Sequence, residues 1–263
     1  MFEYNGRAQP ALRQQPEARL DSSIMFRKRL LTATNILGEL LITAGVLVLL
    51  FLAWQLWVNN ALVASSQLNR VAQNSQHWST GAATDPTTDD FGKPPVLAHV
   101  GKGETIGNLY VPRLGAASTR AVAESVDPRM SLNRGYFGHY SSSQWPGQAG
   151  NFALAVHRSG WGTGFAQAQL LRTGDRIYLE TATGYYGYTV RNIEYVKPTS
   201  VDVLNAVPGT TRSAAAGQSI LTITTCSPQD GNVERLVTYA VLDSWRPRSA
   251  GPFPDLAPLM KKA

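Results

Sequence analysis

The segment SILTITTCSPQDGNVERLVTYAVLD, residues 219–243, holds two runs of alternating side chains separated by a break that carries Pro and Gly. Successive side chains of a strand point to opposite faces, so Leu221, Ile223 and Thr225 face one way and Thr222, Thr224 and Cys226 the other. Pro228 and Gly231 end the first run, and Arg235 opens the second, nine residues after Cys226. Joined by a hairpin-like loop, the two runs place Cys226 and Arg235 at the same end of neighbouring strands. Working outward, similar runs rich in Val, Ile, Tyr and Thr occupy residues 107–114, 120–126, 152–157, 176–180 and 186–196. Only short helical stretches, near 165–171 and 201–206, compete with them. Seven short strands in succession predict an all-β domain, a single barrel or sandwich.

The apolar weight lies elsewhere. The chain is 43% hydrophobic but only 16% charged, against about 25% in ordinary soluble domains. From Leu40 to Val58 the sequence LLITAGVLVLLFLAWQLWV carries no charge over 19 residues. At roughly 1.5 Å per residue such a helix covers about 28 Å, close to the hydrocarbon thickness of a bilayer. Trp54 and Trp57 suit an interfacial aromatic belt, and Glu39 can snorkel at the opposite edge. Arg27, Lys28 and Arg29 precede the run, whereas Arg70 is the one basic residue between it and Lys93. The positive-inside rule then predicts a single-pass membrane protein with a cytoplasmic N-terminus and an exported bulk. A cleaved signal peptide and a buried core helix are the rival readings. Residues 1–35 hold 6 basic and 3 acidic side chains, so half of the net charge of +6 belongs to this flank. The remaining bias comes without a basic helix or an RNA-binding aromatic motif, and nucleic-acid binding is not expected. The expected organisation is a cytoplasmic tail (1–35), a transmembrane anchor (36–58), an extracellular stalk (59–103), a β domain (104–248) and a Pro-rich tail (249–263).

There is one cysteine. It excludes an internal disulfide and any zinc site needing two thiolates. Cys226 is either a small buried hydrophobe or a nucleophile presented where a strand gives way to a loop. An exported, unpaired thiol is open to oxidation, which favours a role for it. A nucleophilic thiol needs a proton partner and an electropositive setting. His157 ends the alternating run NFALAVH and is followed by Arg158-Ser159-Gly160, a placement that matches that of Cys226. His139, in GYFGHYSSS, is the competing histidine. Arg235 has a forked set of donors suited to lowering a thiol pKa and to holding an oxyanion or carbonyl. Gly160, Gly162 and Gly164 imitate a dinucleotide fingerprint, but the third glycine comes one residue early.

These features resemble the sortases, membrane-anchored cysteine transpeptidases of Gram-positive bacteria. The order is a strand ending in His, then LTITTC, then an Arg opening the next strand. PGQAGNFALAVHRSG resembles the family's histidine strand, and the anchor, GYFGHY and WGTGF resemble the actinobacterial class E. The resemblance implies a closed eight-stranded β-barrel with short helices behind one N-terminal transmembrane helix. It implies catalytic roles for Cys226, His157 and Arg235, and places Thr225 among the substrate-binding residues. It also implies cleavage of an LAxTG- or LPxTG-like C-terminal sorting signal after Thr, through a thioacyl-enzyme. The acceptor would be the stem-peptide amine of a lipid-linked peptidoglycan precursor, and the donors secreted proteins bearing the signal. No cofactor is expected. Asp202 is the one acidic residue between 197 and 219, so no metal site is expected either. An exported cysteine peptidase and a non-catalytic membrane-tethered β-domain that binds wall components are the alternatives.

Overall fold

A computed structural model of the chain describes residues 18–79, 91–211 and 218–262. The chain divides into two units, Met1–Trp54 and Gln55–Ala263. In the first, helix α1 runs from Ala18 to Ala53, and its stretch Ser23–Ala53 is long and apolar enough to cross a membrane. Leu41, Ile42 and Leu49 are among its many exposed apolar side chains. Residues 1–17 of the expected tail lie outside the described residues, and from Ala18 onward the chain is already helical.

The second unit is a closed barrel of eight strands in the order β1-β2-β3-β4-β7-β8-β6-β5. The strands are β1 (Thr105–Tyr110), β2 (Arg120–Glu124), β3 (Phe137–His139), β4 (Gly150–Ala155), β5 (Arg176–Glu180), β6 (Gly184–Val196), β7 (Ser219–Ser227) and β8 (Glu234–Pro247). Seven correspond to the runs expected from the sequence. The eighth, β3, has only three residues and no room for alternation, so the pattern could not announce it. Pairing is antiparallel except between β2 and β3 and between β4 and β7, which are parallel. The inward residues of each strand, such as Leu109, Val122, Leu154, Leu179, Leu221 and Leu236, form one core. Closure leaves no edge strand open to pairing with another chain.

One expectation is overturned in part. Residues expected to begin an extracellular stalk form helix α2 (Asn59–Trp78), which packs on β1 and β2. Its two fully buried residues, Gln67 and Val71, lie four apart on one face. Because one of the two is polar, the amphipathic stripe is hidden in a sequence that reads as a linker. The Pro-rich tail also belongs to the fold. Leu256 is fully buried with Val71, Tyr110, Tyr178 and Tyr185, ahead of the short helix α3 (Ala257–Met260).

Candidate active site

β4 and β7 run parallel, with Ala155 level with Thr224. The ladder continues past the end of β4, where Val156 N–H donates to the Thr224 carbonyl (3.1 Å). Continued two residues beyond the Ala155–Thr224 pair, the same register brings His157 to the level of Cys226. On the other side of β7, Cys226 pairs directly with Arg235 of β8. The three residues therefore form a row across the ends of three adjacent strands.

They also share a face. Phe152 and Leu154 of β4, Val156 just beyond it, Leu221 and Ile223 of β7, and Leu236 of β8 point into the core. The alternation then turns His157, Cys226 and Arg235 to the outer surface of the barrel. Both His157 and Cys226 are half-buried. Each lies where its strand gives way to a loop, as the sequence suggested.

His157 is held from two sides. Its Nε2 is 2.9 Å from Asn133 Oδ1. An amide oxygen only accepts, so Nε2 carries the proton and the neutral ring keeps Nδ1 free to take one. The Trp161 indole stacks on the imidazole with ring centres 6.3 Å apart. Burial lowers the His157 pKa below the usual histidine range, which favours the neutral base.

Arg235 directs Nη1 to the carbonyls of Asn232 (3.2 Å) and Glu234 (3.0 Å). Those bonds bend the guanidinium over the β7–β8 loop, and among the described residues its Nη2 makes no hydrogen bond. A buried Arg158 donates from Nη1 to the Cys226 carbonyl (3.2 Å) and from Nη2 to Gln169 Oε1 (2.7 Å). It braces the backbone of the thiol-bearing residue from within. Tyr140 pairs its hydroxyl with Thr224 Oγ1 at 3.0 Å, on the outer face next to Cys226.

Two further residues that the sequence singled out are placed as follows. Thr225, expected among the substrate-binding residues, is 2% exposed and its hydroxyl donates to the Val156 carbonyl (2.8 Å). It ties β7 to the chain just beyond β4 on the inner face, where period 2 had already put its side chain. His139, the competing histidine, is fully buried on β3 between Glu124, Ser143 and the Gln144 carbonyl. Its loop-like setting in the sequence concealed the three-residue strand that encloses it. Sequence reasoning missed Asn133, Trp161 and Arg158 as parts of the site, since Asn133 lies 24 residues before the histidine it contacts. Only its place before the Gly135 turn set it apart locally.

Residues 109–243 match the sortase domain family. The chain belongs to the sortase family. Sortases are cysteine transpeptidases, and the single cysteine of this one is Cys226. It is 34% identical to sortase SrtE1 of Streptomyces coelicolor over 226 residues, which is 83% of this chain but 60% of that protein. The SrtA sortase of Actinomyces oris superposes with a TM-score of 0.59 at 34% identity, covering 65% of this chain and 97% of that one. A crystal structure of sortase E1 from Streptomyces coelicolor, with a tripeptide in the active site, gives a TM-score of 0.54 at 30% identity. It covers 59% of this chain and 98% of that one. Within the family, this sortase is most like class E.

Proposed function

We propose that this sortase is anchored in the membrane by α1 and transfers secreted proteins from an LAxTG-like sorting signal to a cell-wall peptide amine. The observation that carries this reading is the outward-facing row of His157, Cys226 and Arg235. His157 takes the thiol proton of Cys226, the resulting thiolate attacks the carbonyl carbon of the signal's Thr, and the tetrahedral oxyanion takes hydrogen bonds from the free N–H groups of Arg235. Collapse breaks the Thr–Gly peptide bond, and His157 delivers a proton to the departing amine. The acyl group is now a thioester on Sγ. An incoming amine loses a proton to His157, attacks the thioester and releases Cys226. The tripeptide in the active site of sortase E1 supports a peptidic substrate here. The run of basic residues ahead of the apolar segment supports a cytoplasmic N-terminus and an extracellular barrel.

The test uses the full chain in detergent with a quenched LAxTG peptide and a Gly- or diamino-acid-based acceptor. A ligated product that disappears with Cys226→Ala and His157→Ala supports the reading. Arg235→Lys is expected to lose most of the turnover, because a point charge cannot reproduce a forked donor. Cleavage that ignores added amine would identify a peptidase instead. Equal turnover by Cys226→Ala would overturn the nucleophile assignment.

A further inference from the structure

Helix α2, which follows the apolar segment in sequence, meets the barrel at the two loops that hold His157. Gln67 is 1% exposed, and it bonds in both directions. Its Nε2 donates to the Arg134 carbonyl (2.6 Å), one residue after Asn133, and its Oε1 accepts from Ala121 N–H (3.2 Å). At Gly135 the helix and both loops converge. A Cβ there would lie 2.8 Å from Val63 Cγ1, 3.0 Å from the Trp161 carbonyl oxygen and 3.1 Å from Gln67 Cγ.

The second loop, residues 160–164, is conformationally costly. Trp161 (φ 47°) and Thr163 (φ 49°) both occupy the left-handed region, which bulky and β-branched residues avoid. Such a loop needs holding from outside, and it is held from two sides. The fully buried Arg120 donates to the Gly162 carbonyl at 2.6 Å. From α2, Asn60 Oδ1 accepts from Gly162 N–H at 3.4 Å, and a Cβ on Gly162 would meet Ala64 N at 3.1 Å.

We propose that α2 is part of the catalytic apparatus, with Gln67 a positioning residue that ties the Asn133 loop to β2 behind His157, while Asn60 and Ala64 of the same helix back the Trp161 loop. The proposal rests on His157 being the general acid and base. An internal control is at hand, because the opposite end of α2 makes a comparable buried contact remote from those loops, Ser75 Oγ to Glu180 at 2.6 Å.

The experiment compares Gln67→Met and Ser75→Ala in the full chain in detergent. It records kcat and KM for the LAxTG peptide, the melting temperature, and the titration of His157 by NMR of ring-labelled histidine. Cys226 and Arg235 are the ionisable groups level with His157, and both are unchanged in each variant. In Gln67→Met, kcat should fall on the order of tenfold with KM within about twofold, the pattern of a misplaced group in the transition state. The His157 midpoint should rise as water reaches the ring. Ser75→Ala should lower the melting temperature and move neither. Should Gln67→Met fail to fold, Gln67→Glu keeps the acceptor for Ala121 and removes the donor to Arg134, with the same expectations. A Gln67 variant that loses only melting temperature overturns the proposal, as does a Ser75→Ala effect of equal size on kcat and titration. Absence of wild-type turnover would remove the functional reading, and the His157 titration would then decide this inference alone.

Discussion

Replacing Glu180 with Gln tests what joins the two ends of the catalytic unit. Glu180 is fully buried on β5. Its Oε2 accepts from Ser75 (2.6 Å), Tyr110 (2.8 Å) and Asn108 (2.9 Å), and its Oε1 from Arg248 Nη2 (3.2 Å). The donors come from α2, β1 and the segment after β8. Burial, reinforced by the carboxylate, raises the Tyr110 pKa above the usual phenol range, so Tyr110 stays a donor. Gln has the same shape, but one end becomes a donor itself. An NH2 group at the Oε2 position would face three donors, so the amide must turn it toward Arg248. The ion pair is then lost, and three charge-assisted bonds become neutral ones, each weaker by about 1 kcal/mol. Arg248 keeps the Thr181 carbonyl, which its Nε reaches at 3.1 Å. The net cost should therefore fall near the lower end of the range for a broken buried pair, about 3 kcal/mol. For a unit of this size that is a fall in melting temperature of roughly 6–12 °C. Thermal unfolding of the full chain in detergent measures it, beside turnover at 25 °C. In the closed strand order β5 and β1 lie across from β4 and β7, so turnover well below the transition should not change. A fall smaller than about 2 °C would mean that desolvation of the carboxylate cancels its bonds, and would refute the view of Glu180 as a clamp.

Three further outcomes are expected. Arg158→Met removes the donor to the Cys226 carbonyl and should lower both melting temperature and kcat, the latter measured with the LAxTG peptide; a loss of stability alone would limit Arg158 to a structural role. Because the folded His157 pKa is below its unfolded value, its contribution to stability is present above about pH 6.5 and is lost as pH falls through the folded value. Denaturant melts of His157→Gln should accordingly show a flatter acid limb than wild type, and identical limbs would contradict the burial argument. Gly162→Ala places a Cβ at φ +89° against α2, so it should depress kcat more than KM in the peptide assay; wild-type kinetics would show that the 160–164 loop does not need its present backbone.

Alternation made an all-β domain legible, because each strand faces the core on one side and the outer surface or solvent on the other, whereas closure into an eight-stranded barrel was expected only from the family resemblance. The Cys226–Arg235 pairing was legible too, since the Pro- and Gly-bearing break between them is short and local. The parallel alignment of His157 with Cys226 was not, because it joins strands whose matching residues lie 69 apart, Gly150 with Ser219 and onward. The role of α2 stayed hidden because its buried stripe uses Gln67, a residue that counts as polar in any hydropathy pattern.

By itself the sequence determined the all-β unit behind an apolar helix, and the three residue types suited to acyl transfer. Those depend on local periodicity and side-chain chemistry, which a linear reading contains. Only the tertiary structure decided that the Thr225 hydroxyl bonds to the Val156 carbonyl and that His139 is sealed off. It alone showed that His157 rests on Asn133 and Trp161, with α2 behind them. Those facts depend on which distant segments share a surface, and closure of the barrel sets that.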